Sequence, residues 1–294
     1  MSRILIVDDV ASNVQILSVH LQDEGYRVME TQRGDEAIEL LKQHSDIDLV
    51  LLDVEMPKMS GLEVLKVIKS ELDTKDIPVI LVTANGDDDS VVDGLDMGAF
   101  DYVIKPYSLS VLMARVRSAL REKERLNLLE KWATTDPLTG LYNRRYFFEQ
   151  ANREIERSTR NQSPVTFVIM DIDHFKKVND QYGHLLGDDV LEILAALFKE
   201  SLRKVDICCR FGGEEFVLCL PDTDQDTAFE VAERVRKQAK KLSFETDKET
   251  IHITISMGIA SYKQDDSLET LLKRADEALY LAKDSGRDQT QISA

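Results

Sequence analysis

Gly212-Gly213-Glu214-Glu215-Phe216 lies between two strand-like runs, residues 206–211 and 216–220, and its reading decides the fold of the C-terminal half. The glycine pair predicts a hairpin turn, where positive φ is tolerated and a ligand can approach bare backbone. Carboxylates at such a turn suit a hard cation such as Mg²⁺ held against a phosphate. Outward from the hairpin, residues 165–170 form an apolar, β-rich run ending in Asp171-Ile172-Asp173-His174-Phe175-Lys176. Asp171 is then a strand-end carboxylate facing the hairpin across adjacent strands. Two strands that each deliver a carboxylate to one point can build a Mg²⁺–triphosphate site. Further on, Gly183-His184 and Gly187-Asp188-Asp189 open a helix expected to run to about Leu202, and residues 275–283 predict another.

The N-terminal half alternates strands and helices. Arg3–Val7, Arg27–Thr31, 49–52, Val79–Thr83 and 102–104 read as strands, and two of them are unbroken apolar runs of the kind covered on both faces. This α/β alternation predicts a doubly wound, flavodoxin-like parallel sheet with ligands beyond the carboxyl ends of its strands. Asp8, Asp9, Asp53, Thr83 and Lys105 all fall at those ends. One aspartate there could simply cap a strand or start a turn; five polar positions in order make a capping role alone improbable.

At 294 residues, 43% apolar and 31% charged, the chain suits two globular domains. The net charge of −17 speaks against a DNA-binding output, and neither half is basic. No apolar run approaches the roughly 20 residues of a membrane span, and no signal peptide opens the chain, so no membrane insertion is expected. Cys208, Cys209 and Cys219 cluster in the hairpin strands, as reduced core thiols of a cytoplasmic protein would. From Ser108 an approximate apolar stripe runs through Leu112, Val116, Leu120, Leu126 and Leu129. It reads either as a solvated helix or as a stalk that pairs two copies.

Residues 1–121 closely resemble the receiver domain of two-component response regulators. That resemblance implies Asp53 as phospho-acceptor, Mg²⁺ on Asp8, Asp9, Asp53 and a backbone carbonyl near Glu55, and phosphoryl contacts from Thr83 and Lys105. It also implies a cis peptide at Lys105-Pro106 and Tyr102 as the aromatic switch. Residues 133–294 resemble the GGDEF family of diguanylate cyclases in its GGEEF form, an α+β domain like the nucleotidyl cyclase and polymerase palm. Its entry motif matches Asp136-Pro137-Leu138-Thr139-Gly140-Leu141-Tyr142-Asn143-Arg144-Arg145. Residues 108–132 would be a helical connector.

The second resemblance implies condensation of two GTP into cyclic di-GMP. Asp171, the Ile172 carbonyl and Glu214 would hold Mg²⁺, with Mn²⁺ as a substitute, and Glu215 would lie beside them, either glutamate being the candidate base. GTP would contact Gly212, Gly213, Asn179, Asp188, Lys176, Lys283 and Arg287. Asn179 and Asp188 match the guanine-reading positions, although Asp188 also reads as a helix N-cap. Lys283 and Arg287 match the triphosphate pair, although cations at a helix end are commonplace. Arg203 and Asp206 match a product-inhibition site, or form a surface ion pair. Asp288 stands where the family usually has asparagine, so that loop is expected to pack differently. Together the resemblances imply a phosphorylation-regulated cyclase acting as a homodimer or larger assembly, served by a sensor histidine kinase or phosphotransfer protein. The alternative is a non-catalytic cyclic di-GMP receptor.

Overall fold

A computed structural model of the chain describes residues 1–84, 88–246, 249–264 and 266–293. It divides into two units, Met1–Leu129 and Glu130–Ala294. The first contains β1 (Arg3–Val7), α1 (Ala11–Asp23), β2 (Arg27–Thr31), α2 (Gly34–Gln43), β3 (Ile47–Asp53), α3 (Gly61–Ser70), β4 (Val79–Thr83), α4 (Asp88–Asp96) and β5 (Asp101–Ile104). The helix α5 (Leu109–Thr134) runs through the division. The strands form one parallel sheet in the order β2-β1-β3-β4-β5. Apolar side chains on alternate strand positions feed two cores: one takes Leu41, Val64 and Ile68 from α2 and α3, the other Leu17, Leu112 and Val116 from α1 and α5. Burial on both faces is why β3 and β4 read as continuous apolar runs.

The second unit contains β6 (Tyr142–Asn143), α6 (Arg144–Asn161), β7 (Val165–Ile172), α7 (Phe175–Tyr182), α8 (His184–Ser201), β8 (Ile207–Gly212), β9 (Glu215–Pro221) and α9 (Gln225–Ala239). Then follow the short pair β10 (Phe244–Glu245) and β11 (Thr250–Ile251), β12 (Ile255–Ser261), α10 (Leu268–Asp284) and β13 (Thr290–Ile292). The main sheet runs β13-β12-β7-β9-β8-β6; its four central strands are antiparallel to one another, and β13 and β6 flank them in parallel. Cys208, Cys209 and Cys219 are buried and unpaired with one another. Among the described residues no helix is long and apolar enough to cross a membrane.

Helix α10 lies unusually close to β12. A Cβ on Gly258 would come within 2.1 Å of the Ala275 carbonyl oxygen and 2.2 Å of the Leu279 nitrogen. Backbone cannot yield as a side chain can, so Gly258→Ala should destabilise this unit by roughly 3 kcal/mol. A urea midpoint equal to that of the parent would refute this account of the packing.

Candidate functional site

In the first unit the parallel strands carry their polar residues to one edge. Asp8 and Asp53 are buried, at 2% and 4% exposure, and Asp9 is half-buried. Ligand oxygens of these three carboxylates lie within 4.8 Å of one another. Lys105 Nζ bridges two of them, donating to Asp8 Oδ2 at 2.9 Å and Asp53 Oδ2 at 2.8 Å. Burial raises the pKa of Asp53 against the pull of Lys105. Burial also disfavours the charge on Lys105, but its bonds to Asp53 and Asp8 outweigh that and raise its pKa. Three acidic groups with one cation between them are a donor set that fits Mg²⁺. The Glu55 N–H donates to Asp53 Oδ1 at 3.3 Å, Thr83 is buried beside them at the end of β4, and Tyr102 is half-buried. The Lys105-Pro106 peptide is cis.

Sequence reasoning missed Asn13, whose Nδ2 donates to Asp8 Oδ1 at 3.1 Å and Oδ2 at 3.0 Å. It also missed Gly61, where a Cβ would fall 2.1 Å from the Asp53 carbonyl oxygen. The signal for Asn13 was its place one helical turn past the aspartate pair. The need for glycine at 61 arises only from the approach of α3 to β3.

In the second unit the hairpin turn is one residue later than the glycine pair predicts. Gly212 still belongs to β8 and pairs with Glu215, so Gly213 and Glu214 make the turn, and of the two glycines only Gly213 has positive φ, +52°. The register shifts between Arg210 and Gly212, leaving an extra residue in β8 that moves the turn along. Among the described residues, and apart from the chain neighbours themselves, no atom lies within 4 Å of where a Cβ would stand on either glycine, so the hairpin tip leaves room for a ligand at its backbone.

Across the sheet Asp171 pairs in register with Glu215. Residues directly opposite in an antiparallel pair share a face, so Glu215 is the cross-strand neighbour of Asp171 while Glu214 reaches in from the turn. Burial first, and then the charge of Asp171, raises the pKa of both glutamates. Burial raises that of Asp171 itself, opposed by Lys283. Lys283 Nζ sits 2.8 Å from Asp171 Oδ2, so one of the two expected phosphate cations is held by an expected metal ligand. Arg287 follows in a left-handed conformation, φ +64°, and bonds the Lys283 carbonyl at 3.3 Å. Ile172 is buried at the end of β7. Two acidic side chains from adjacent strands, a nearby main-chain carbonyl and an ammonium group on one of the carboxylates make a donor set that fits a divalent cation with a phosphate.

Asn179 lies on α7 with its Oδ1 against Gly187, where a Cβ would be only 2.0 Å away. The helix α8 starts at His184 with Gly183 as its N-cap, which corrects the N-cap reading of Asp188. Asp188 is exposed in the second turn of α8, one residue past Gly187, and Lys176 is exposed on α7. Arg203 and Asp206 do bond each other, Nη2 to Oδ1 at 2.7 Å, but the pair is more than an exposed contact. The Asp206 side chain is 3% exposed, and Arg203 Nη2 also donates to Thr223 Oγ1 at 2.8 Å. Beside them a cavity of about 290 Å³ is lined by Tyr142, Lys199, Arg203, Lys204 and Asp206. Arg210, also unforeseen, joins the Gly213 carbonyl at 2.9 Å to the Asp136 carboxylate at 3.3 Å, so the entry turn braces the hairpin.

A family model described as diguanylate cyclase, GGDEF domain matches residues 133–289, and one described as response regulator receiver domain matches residues 4–117. The response regulator PleD of Caulobacter vibrioides (strain NA1000 / CB15N) is 36% identical over 296 residues, which cover 97% of this chain and 64% of PleD. The chain therefore spans less than two thirds of that relative. The solved structure of the diguanylate cyclase SiaD from Pseudomonas aeruginosa, in complex with its activator SiaC, is 39% identical with a TM-score of 0.54. That match covers 62% of this chain and 70% of SiaD. The GGDEF domain of DgcB from Caulobacter crescentus, in complex with c-di-GMP, is 31% identical with a TM-score of 0.53, over 54% of this chain and 95% of that one.

Proposed function

Because the chain belongs to the GGDEF diguanylate cyclase family and carries a receiver domain ahead of that domain, we propose that it is a phosphorylation-regulated diguanylate cyclase. It condenses two GTP into cyclic di-GMP and two pyrophosphates. The observation that carries this reading is Asp171 in register with Glu215 beside the turn that bears Glu214, with Lys283 on Asp171 at 2.8 Å. Asp171, the Ile172 carbonyl and Glu214 would hold Mg²⁺, which when bound would supply positive charge to lower the pKa of the attacking 3′-hydroxyl and to offset charge on the phosphate. Lys283 then exchanges Asp171 for the triphosphate, and Arg287 and Lys176 add positive charge there. Gly212 and Gly213 let the phosphates approach the backbone. Asn179 and Asp188 read the guanine edge with an amide and a carboxylate. Glu215, facing Asp171, is the nearest candidate for accepting the hydroxyl proton.

In the receiver, Asp8, Asp9 and Asp53 would hold a second Mg²⁺, and Asp53 takes the phosphoryl group from a sensor histidine kinase or phosphotransfer protein in the cytoplasm. The product has two equivalent halves, so two GTP-loaded copies act together as a homodimer or larger assembly. A non-catalytic receptor would bind at Arg203 and Asp206 alone and leave the carboxylates of Asp171 and Glu215, opposite each other with Lys283 on Asp171, without a purpose. Incubating the full chain with GTP and Mg²⁺, with and without a small phosphoryl donor, tests the reading; failure to form cyclic di-GMP under either condition refutes it.

Feedback by product follows from Arg203 and Asp206, since an Arg fork can take guanine O6 and N7. Arg203→Ala should leave initial rates near those of the parent and raise the concentration of cyclic di-GMP needed for half inhibition about tenfold. An unchanged inhibition curve would reduce the pair to a brace between Thr223 and the start of β8.

A further inference from the structure

Behind the candidate site lies a set of charged groups that the proposed reaction does not use. Asp173 is only 6% exposed, yet its carboxylate is well supplied with donors. Thr254 Oγ1 donates to Oδ2 at 2.6 Å, Ser256 Oγ to Oδ1 at 2.7 Å, and the Asp288 N–H to Oδ2 at 3.1 Å. One side chain therefore ties the end of β7 to the start of β12 and to the turn after α10. That turn passes through three consecutive positive φ values, 112° at Gly286, 64° at Arg287 and 45° at Asp288. Residues other than glycine hold such a conformation only when their surroundings enforce it.

The surroundings here are ionic. The Asp288 carboxylate accepts from Lys240 Nζ at 2.6 Å and from Arg236 Nη1. Arg236 also donates to the Asp288 carbonyl at 2.9 Å and is itself gripped by both oxygens of Glu233, at 2.8 and 2.9 Å. The turn in turn sets the end of α10, because the Arg287 N–H donates to the Ala282 carbonyl at 3.0 Å. An asparagine at 288 would favour the left-handed backbone by itself. The aspartate draws Arg236 and Lys240 across from α9 and gives the turn a second anchor.

We propose that Asp173 and Asp288 are positioning residues, which together hold the left-handed turn 286–288 so that Lys283 and Arg287 meet the substrate phosphates beside Asp171. The proposal rests on the reading of Lys283 and Arg287 as triphosphate contacts. It predicts a loss confined to the phosphate end of the nucleotide, whereas a merely structural role would weaken the whole site.

The test compares binding of 3′-deoxy-GTP, which lacks the attacking hydroxyl, with binding of GMP to the full chain in Mg²⁺. Asp288→Ala should weaken 3′-deoxy-GTP binding about tenfold, leave GMP binding within about twofold, and raise KM for GTP more than it lowers kcat. Asp288→Asn restores a residue that favours the left-handed backbone and an acceptor for Arg236, and should recover most of the affinity. Asp173→Asn should show the same selective loss; if that variant does not fold, the two variants at 288 decide. Equal losses for both nucleotides, or no loss, would overturn the proposal. A parent that binds 3′-deoxy-GTP but makes no cyclic di-GMP would refute the cyclase reading, while the binding ratio would still judge the turn.

Discussion

Asp171→Asn and Glu214→Gln should each lower cyclic di-GMP synthesis about a thousandfold or more while the chain stays folded. Each change preserves side-chain volume and removes one negative charge from the point where β7 meets the hairpin. A loss of that size corresponds to about 4 kcal/mol of transition-state stabilisation, within what a bound cation supplies to phosphoryl chemistry. In the parent, Lys283 is bonded to Asp171 at 2.8 Å, and the substitution at 171 also removes that partner. The variant should therefore bind Mn²⁺ poorly yet keep its thermal midpoint close to that of the parent, because this pair lies at the rim of the sheet. Glu215→Gln belongs in the same series, since the register puts Glu215, not Glu214, directly opposite Asp171. If Glu215 accepts the proton, its variant should keep Mn²⁺ affinity and lose turnover. Near-parental kcat in folded Asp171→Asn and Glu214→Gln would overturn the metal assignment.

Beryllofluoride, a phosphoryl mimic, should raise cyclase turnover of the full chain about 5- to 150-fold and favour a dimer or larger assembly, the range expected of a coupling of 1–3 kcal/mol. Asp53→Asn should abolish both responses. The physical cause begins at Lys105, which is shared between Asp8 and Asp53 at 2.9 and 2.8 Å. A phosphoryl group on Asp53 would add charge and acceptor oxygens that compete for Lys105 and Thr83, and Tyr102 should repack behind them. The last helix of this domain, α5, begins with Leu112 and Val116 buried in the receiver core and continues to Leu126, Leu129 and Trp132, which are 49%, 44% and 69% exposed. Those exposed apolar residues are a face on which a second copy can pair. Trp132 is the one tryptophan of the chain, so its fluorescence should change with assembly. Light scattering, fluorescence and turnover on the same samples decide the matter. No change in any of them, or an equal response from Asp53→Asn, would refute phosphorylation-gated assembly.

The apolar stripe in α5 illustrates what sequence pattern conveys and what it leaves open. Periodicity marked Leu112, Val116, Leu126 and Leu129 as one face. It could not tell that the first two pack into the receiver core while the last two stay exposed, because a stripe records only that burial is favourable somewhere. The hairpin has the same character. Glycines and carboxylates announced a turn with ligand chemistry, but the extra residue in β8 shifted that turn to Gly213 and Glu214, and a bulge has no local signature.

Sequence alone determined the parallel-sheet and α+β architectures, the strand ends that bear carboxylates, and the two families that those motifs resemble. These features depend on residues near one another in the chain, where periodicity and turn chemistry act directly. Tertiary structure alone decided that Glu215 faces Asp171, that Lys283 rests on Asp171, that Asn179 demands glycine at 187, and that Asp173 holds the turn at Asp288. Most of these contacts join residues far apart in sequence, and even the local one between Asn179 and Gly187 depends on how two helices pack. Strand register and helix packing bring such groups together, and both are set by burial of the whole core rather than by any local run of residues.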